Sequence, residues 1–206
     1  MVIEDLSGLL NMVQAGVVEI HPWGSGVTHL EEPDRLIFDL DPGEDVPWSA
    51  TIAAAREVRS GLADLGLVSF LKTSGGKGLH VVVPLEPQAE WEAAKAFTEQ
   101  VAAEMARNHP DKYIATLSKR ARRGRIFIDY LRNGRGATAV APYSTRSHPQ
   151  ATVSTPIDWD EVSEGLKADH YTVDNIGHRL KFLKRDPWDG FFRIKQRLPP
   201  RAVRKP

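Results

Sequence analysis

Apolar residues along the chain recur at two different spacings, and these spacings predict helices and strands. In several segments apolar residues recur every three or four positions, which is typical of a helix with one buried face. Short runs of valine, isoleucine, leucine and phenylalanine lie between these segments and predict buried strands. The predicted helices are 4–15, 47–65, 88–107 and 175–183, with a further helix starting within 155–161 at the cap Asp158, and the predicted strands are 17–20, 35–42, 67–71, 81–83 and 126–130.

This order of elements, with mostly short connections, predicts a mixed fold of the α/β or α+β class. A length of 206 residues suits one domain with a sizeable core. We assign residues 1–190 to that domain and residues 191–206, which are basic and contain prolines, to a tail or linker. No apolar run reaches the roughly 18 residues that a transmembrane helix needs, so no membrane partner is expected.

The two halves of the chain carry opposite charge, although the net charge of the whole is zero. Residues 1–110 contain 7 Lys and Arg against 17 Asp and Glu, whereas residues 111–206 contain 20 against 10. A metal-attracting part beside a phosphate-attracting part accounts for this division, and so do two solvated faces of opposite sign. The chain has no cysteine, which excludes thiolate metal sites and fits a reducing cytoplasm.

Two acids lie at the end of the predicted strand 35–42. Asp39 and Asp41 are two residues apart, and side chains with this spacing share one face of a strand. Two carboxylates so close repel each other unless a cation lies between them, so the pair predicts a divalent metal site. A solvated strand end is the alternative. Asp129 lies in the otherwise apolar strand 126–130 and is the natural third ligand, so we expect the two strands to be neighbours.

A glycine-rich segment, KTSGGKGLH at residues 72–80, joins two predicted strands. Its glycines allow a tight turn and expose backbone N–H groups, which suits a phosphate. Ser74, Lys77 and His80 add a hydroxyl, a cation and an imidazole. The segment is not a Walker A loop, because a strand rather than a helix follows it. A glycine-rich hairpin without a ligand is the alternative.

Further cations surround these motifs. Residues 119–125 hold five cations in seven positions, which is typical of a contact with a phosphate backbone or of a solvated loop. Arg132 and Arg146 follow and are able to pair with phosphate oxygens through two N–H groups each. His21 lies at the end of the predicted strand 17–20, where a lone histidine is more often structural than functional.

Three motifs, in this order and spacing, together resemble a known family. They are FDLDP at 38–42, KTSGGKGLHV at 72–81 and RIFIDYLRNGRGATAVAPYSTR at 125–146. They resemble the polymerase domain of bacterial ligase D, a member of the archaeo-eukaryotic primase superfamily, from the first helix to about Trp188. The resemblance implies a primase-polymerase catalytic core with an RRM-like antiparallel or mixed sheet flanked by helices.

The resemblance also implies a function. The family fills DNA ends in bacterial non-homologous end joining, as a nucleotidyltransferase that prefers ribonucleotides and uses two Mn²⁺ or Mg²⁺ ions. The implied substrates are a nucleoside triphosphate and DNA ends or gapped DNA. The implied partners are Ku and ligase or nuclease domains, in the bacterial cytoplasm at the nucleoid.

Residue roles follow from the same resemblance. Asp39, Asp41 and Asp129 match the family's catalytic, metal-binding acids. Ser74 and His80 match residues that hold the phosphates of the incoming nucleotide. The residues that match the family's nucleotide-binding motifs are His21 on the sugar side, Ser74, Lys77, Gly78, His80, Arg132 and Arg146.

One departure from the family pattern leaves an alternative function open. The family's domain begins several tens of residues earlier, with an aromatic platform for the base and basic residues for a 5′-phosphate. We therefore expect weak templated extension and an exposed apolar patch, or else a non-catalytic DNA-end-binding or nucleotide-binding fragment. A phosphatase of the haloacid dehalogenase type, with Asp39 as its nucleophile, is disfavoured because Pro42 follows the second acid.

Overall fold

The computed structural model describes residues 1–200, and a six-stranded sheet forms the centre of this part of the chain. The strand order is β4-β5-β1-β3-β2-β6, and every neighbouring pair is antiparallel except β4 and β5. The predicted mixed α/β fold is confirmed. The strands are β1 (Arg35–Pro42), β2 (Phe70–Thr73), β3 (Leu79–Pro84), β4 (Tyr113–Ile114), β5 (Ile126–Asp129) and β6 (Pro156–Ile157).

Two of the four helices pack on one face of the sheet and form the main core. Because successive side chains of a strand point to opposite faces, Leu36, Phe38 and Leu40 of β1 share this face. All three are fully buried, in one cluster with residues of the two packed helices. The helices are α1 (Leu6–Gln14), α2 (Trp48–Asp64), α3 (Trp91–Asn108) and α4 (Val173–Phe182), and α2 and α3 cover the sheet.

The opposite face of the sheet is covered at one end only. There, a smaller cluster joins Ile37 and Val82 of the sheet to Trp188 and Phe191 of the C-terminal segment. The Trp188 indole N–H donates a hydrogen bond to the Leu71 carbonyl at 2.8 Å, which fixes the segment on the sheet. The other end of this face carries Asp39 and its neighbours, and this open end is the place for a site.

Part of the predicted C-terminal tail belongs to the packed domain. Phe191 and Leu198 are buried, and the Gln196 carbonyl accepts a hydrogen bond from the Glu86 N–H at 2.9 Å. Residues 191–198 are therefore tied to the chain just after β3. Residues 201–206 lie outside the described part, and the domain boundary at 190 stays a prediction.

Two predicted elements take a different form. Residues 17–20 form no strand, but they run beside residues 139–146, and the Ala141 N–H donates to the Ile20 carbonyl at 2.9 Å. Residues 155–161 start no helix, because Pro156 and Ile157 pair with β2 as β6 instead. A proline is tolerated in an edge strand, where its missing N–H breaks no ladder.

Helix α1 is amphipathic as predicted, but its apolar stripe is exposed. None of its residues is buried, and Leu6, Leu10 and Val13 are each at least half exposed, at 68%, 52% and 60%. The Asp5 carboxylate caps the helix by accepting the Gly8 N–H at 2.8 Å. Helix α1 therefore presents exposed apolar side chains, and the expected patch at a packing face stays a prediction.

The side chain of Asn133 completes the hydrogen bonding of β1 where β5 ends. β5 pairs with β1 only from Asp39 to Pro42, so Ile37 lies beyond its reach. The Asn133 carboxamide fills this gap: it accepts the Ile37 N–H at 2.7 Å and donates to the Ile37 carbonyl at 2.8 Å. A second bond from the amide, to the Tyr130 carbonyl, holds the turn that follows β5.

We expect Asn133→Ala to lower the free energy of unfolding by about 2–4 kcal/mol, because it leaves buried backbone groups without partners. Urea denaturation monitored by circular dichroism measures this loss. Asn108→Ala, at an exposed position, is the control and should change the free energy of unfolding by less than about 0.5 kcal/mol. Equal stability of the two variants would contradict the proposed role of the carboxamide.

Candidate active site

The strand register brings four polar side chains into one row across the open end of the sheet. Asp39 of β1 lies opposite His80 of β3 on one side and opposite Asp129 of β5 on the other. Lys72 of β2 lies opposite His80 and ends the row. Paired positions on neighbouring strands point to the same face. The prediction that β1 and β5 are neighbours is therefore confirmed, and Asp129 lies beside Asp39.

Arg132 holds the two paired acids together. Its Nε lies 3.4 Å from an oxygen of Asp39 and 3.3 Å from an oxygen of Asp129. The other oxygen of Asp129 accepts the Leu131 N–H at 2.9 Å, which fixes the carboxylate at the end of β5. The arginine follows the acid by three residues because the chain turns there into a short 3-10 helix, Leu131–Asn133.

Asp41 is paired with a different arginine, from the basic segment 119–125. Arg122 Nη1 donates to the Asp41 carboxylate at 2.6 Å, and the guanidinium lies over the Phe127 ring at 4.1 Å from its centroid. This segment follows the acidic turn closely, because the Gly43 N–H donates to the Arg125 carbonyl at 3.0 Å. Through Arg122, the basic segment 119–125 therefore contacts Asp41 and is not only a solvated loop.

The charge balance of the row disfavours an ionised Asp39. Burial raises the pKa of Asp39 to about 6; Arg132 opposes the rise, and the charges of Asp129 and Asp41 add to it. Arg132 therefore offsets only part of the cost of the clustered carboxylates. A further cation at this position would lower the free energy of the ionised state, which is the condition that favours a metal ion.

His80 and Lys72, on the other side of Asp39, are buried beneath the surface of the row. Burial lowers the pKa of His80 well below its ordinary value, and the charge of Lys72 adds to the effect, so the imidazole is neutral. His80 Nε2 lies 3.4 Å from the Asp39 carboxylate, and Nδ1 has no hydrogen-bond partner among the described residues. Burial also lowers the pKa of Lys72 to about 7, and its ammonium donates to the Ser154 hydroxyl at 2.6 Å.

The glycine-rich segment forms the hairpin between β2 and β3 and folds around the Ser74 hydroxyl. Ser74 Oγ accepts the N–H groups of Gly76 and Gly78, each at 3.1 Å, and its own hydrogen remains free to donate. Only glycine fits at Gly78, because a Cβ there would lie 1.9 Å from the Leu40 carbonyl oxygen of β1. The hairpin is thus held against the strand that carries the acids, and Lys77 is exposed at its tip.

Arg146 and His21 meet on the far side of the hairpin. Arg146 Nη1 donates to the Ser74 carbonyl at 3.0 Å. Both side chains contact Glu19: His21 Nε2 donates to its carboxylate at 2.7 Å, and Arg146 Nε lies 3.2 Å from it. The Glu19 carboxylate therefore links His21 and Arg146, which are remote from each other in the sequence.

The three acids lie between two cavities. The first, of about 250 Å³, is lined by nine of the ten residues predicted from the sequence, including all seven predicted to bind nucleotide. The second, of about 500 Å³, lies toward the basic segment and is lined by all three acids together with Arg122, Phe127 and residues 136–138. Asp39 and Asp41 line both cavities, so they lie at the junction.

Sequence reasoning missed four residues that shape this site: Glu19, Lys72, Arg122 and Asn133. Glu19 precedes His21 by two residues, and Lys72 precedes Ser74 by two, so a same-face pattern was available as a signal for both. No pattern distinguishes Arg122 from the other cations of its segment. The contacts of Asn133 depend on where β5 ends, which the sequence does not reveal.

The oxygen ligands that the three acids offer are of the chemical type that binds a divalent cation. Carboxylate oxygens are the ligands that Mg²⁺ and Mn²⁺ prefer, and the raised pKa of Asp39 reflects a local shortage of positive charge. Among residues 1–200, however, no three His, Asp or Glu side chains converge closely enough to hold one ion. The reason is visible in the ion pairs, since Arg132 occupies the space between Asp39 and Asp129 and Arg122 occupies Asp41.

Comparison with known families identifies the domain. The model of the LigD primase-polymerase domain matches residues 1–188. The chain belongs to the LigD primase-polymerase family. The resemblance inferred from the three motifs is therefore confirmed. The chain is 39% identical over 197 residues to the multifunctional non-homologous end joining protein LigD of Pseudomonas aeruginosa. It is 30% identical over 203 residues to the bifunctional LigD of Bacillus subtilis.

A solved structure agrees with this assignment. The polymerase domain of Mycobacterium tuberculosis ligase D, in complex with DNA, superposes with a TM-score of 0.81 at 32% identity. The match covers 91% of this chain and 69% of that one. The match with the Pseudomonas protein covers 95% of this chain and 24% of that protein. The match with the Bacillus protein covers 98% of this chain and 33% of that protein. Within residues 1–200, no helix is long and apolar enough to cross a membrane.

The raised pKa of Asp39 predicts that ionisation of this carboxylate lowers the free energy of unfolding as the pH rises. Because the folded-state pKa of about 6 exceeds the ordinary value of 3.8, stability is full below the ordinary value and is lost as pH rises through 6. Without metal, we expect Asp39→Asn to be more stable than the unsubstituted protein at pH 7. From pH 4.5 to 7, the free energy of unfolding of Asp39→Asn relative to that of the unsubstituted protein should rise by about 2 kcal/mol.

Urea unfolding in EDTA at the two pH values measures this difference. Asp189→Asn, at an exposed acid that lines neither cavity, is the control for the removal of a carboxylate. A difference between Asp39→Asn and the unsubstituted protein that stays constant from pH 4.5 to 7 would contradict the burial of a carboxylate that resists ionisation.

Proposed function

We propose that this chain is a primase-type polymerase domain that adds nucleotides, with a preference for ribonucleotides, to DNA ends during non-homologous end joining. The observation that carries the proposal is the position of the acids between two cavities, since Asp39 and Asp41 line both. A triphosphate in the first cavity and a strand end in the second would meet at these carboxylates. Such a meeting point is what nucleotidyl transfer requires.

The first cavity suits the triphosphate. The Ser74 hydroxyl, already accepting two N–H groups, has its hydrogen available for a phosphate oxygen. Arg146, anchored on the Ser74 carbonyl, and Lys77 at the exposed tip of the hairpin supply positive charge beside it. His21 lies in the same cavity on the side assigned to the sugar. These groups would hold the phosphates in place and stabilise the charge that develops on the leaving pyrophosphate.

The second cavity suits the nucleic acid strand. It opens toward the basic segment 119–125, in which Arg120 and Arg123 are exposed. Cations at such a surface bind a phosphate backbone and release its counterions. The relative from Mycobacterium tuberculosis was solved with DNA, which supports a nucleic acid substrate here. Ku and the ligase or nuclease parts of LigD proteins are the partners we propose for the complete protein.

Asp39, Asp41 and Asp129 would hold Mn²⁺ or Mg²⁺, two ions in our proposal, and such ions activate a 3′-hydroxyl and neutralise phosphate charge. Arg132 pairs with Asp39 and Asp129, and Arg122 pairs with Asp41. Arg122 holds one oxygen of Asp41, so it would compete with a cation for this carboxylate, and we propose that it releases Asp41 when cations bind. The released guanidinium would then be available to the strand end in the second cavity, which it already lines.

Primer extension tests the proposal. The substrate is a gapped duplex with a 5′-phosphate, assayed with Mn²⁺ and with ribonucleotides or deoxyribonucleotides. Asp129→Asn should reduce the rate at least about a thousandfold, because it removes an acid of the catalytic row while keeping its shape. Asp189→Asn, at an exposed residue that lines neither cavity, should leave the rate unchanged. Activity of Asp129→Asn near that of the unsubstituted protein would contradict the catalytic assignment.

The same assay separates the polymerase from a non-catalytic fragment. Metal-dependent binding of nucleotide without any extension would favour the nucleotide-binding alternative. Equal rates with ribonucleotides and deoxyribonucleotides would leave the polymerase proposal standing and remove the sugar preference. A polymerase that prefers ribonucleotides is the outcome we expect.

A further inference from the structure

Glu19 is an acid placed directly behind a surface that otherwise suits an anion. It does not line the first cavity, whereas His21 and Arg146, which it contacts, both do. A carboxylate at this position repels a bound polyphosphate through space. A carboxylate at this position therefore favours anion binding only if its contacts with other residues outweigh this repulsion.

The contacts of Glu19 join two remote segments of the chain. One carboxylate oxygen, Oε2, accepts from His21 Nε2 at 2.7 Å and lies 3.2 Å from Arg146 Nε. The other oxygen, Oε1, accepts the backbone N–H of Ser147 at 2.6 Å. Glu19 thus contacts both the side chain of Arg146 and the backbone that immediately follows it.

The carboxylate is ionised in the neutral pH range. Burial by itself raises the pKa of Glu19, but the hydrogen bonds from His21 and Ser147, with the charge of Arg146, bring it below the ordinary value. The Glu19 side chain is 23% exposed, so these contacts are partly shielded from water. Charge-assisted hydrogen bonds under such conditions restrain the orientation of their partners.

The guanidinium of Arg146 is held by one hydrogen bond and one ion pair. Nη1 donates to the Ser74 carbonyl of the hairpin, and Nε faces Glu19. The aliphatic part packs on Gly75, where a Cβ would lie 2.8 Å from Arg146 Cγ. A long, flexible side chain has therefore lost most of its conformational freedom before any ligand binds.

We propose that Glu19 is a positioning residue for the nucleotide: it holds His21 and Arg146 in the orientation in which both face the triphosphate cavity. This inference rests on the proposed function of that cavity. Glu19 touches no reacting atom in this scheme and acts only through the two side chains that it orients. Preorganisation of this kind strengthens binding because less entropy is lost when the ligand arrives.

The sign of a substitution distinguishes positioning from simple charge repulsion. Glu19→Gln removes a negative charge near the cavity, so repulsion alone predicts tighter binding of an anion. Positioning predicts the opposite, because the glutamine amide no longer attracts the guanidinium. Loss of one close charged contact corresponds to about a tenfold weaker affinity.

Isothermal titration calorimetry with Mn²⁺-ATP and with Mn²⁺-tripolyphosphate tests the inference. We expect Glu19→Gln to bind both probes about tenfold more weakly, and Glu19→Asp, which keeps the charge, to recover part of the loss. Glu86→Gln, which breaks the ion pair of Glu86 with Arg197 outside the cavity, is the matched control and should bind as the unsubstituted protein does. Thermal unfolding of each variant verifies that it is folded.

A second background shows whether Glu19 acts through Arg146. In Arg146→Ala, addition of Glu19→Gln should cause no further weakening of tripolyphosphate binding. Unchanged or tighter binding by Glu19→Gln, or full additivity of the two substitutions, would overturn the inference while leaving the proposed function intact. Failure of the unsubstituted protein to bind either probe would overturn the proposed function and this inference with it.

Discussion

The register of β1 between β3 and β5 is the constraint on which the site depends. It places Asp39 directly between His80 and Asp129, and a shift of one residue would turn Asp39 into the helical core. Leu36, Phe38 and Leu40 oppose such a shift, because each would lose its fully buried position under α2 and α3. The hydrophobic effect on one face of β1 thus fixes the geometry of the acids on the other.

This geometry has an electrostatic cost that arginines partly offset. Arg132 and Arg122 pair with the three acids, but two cations do not balance three carboxylates, and burial still raises the pKa of Asp39 to about 6. In the function that we propose, divalent cations would offset the rest of this cost. At Glu19 the charges are reversed: an acid there orients two side chains, His21 and Arg146, toward the cavity proposed for an anion. In both places charges of opposite sign are organised before a ligand is present.

Much of this arrangement could be predicted from the sequence. The alternation in RLIFDLDP predicted both the strand and the shared face of Asp39 and Asp41, and the glycine spacing predicted the hairpin. These signals are local, so one sequence carries them. Asn133 and Glu19 act between residues 96 and about 128 positions apart, and only the assembled fold brings their partners together. β6 was missed for the same reason, because its pairing with β2 outweighs the local helix signal of 155–161.

The central claim is that the row of acids holds divalent cations once the arginines release it. Anomalous X-ray diffraction at the manganese edge, from crystals grown with MnCl₂ and a nucleoside triphosphate, tests this claim most directly. We predict anomalous peaks beside Asp39, Asp41 and Asp129, with the Arg122 guanidinium moved away from Asp41. Crystals with bound triphosphate, no peak at these carboxylates and both arginines still paired with the acids would contradict it.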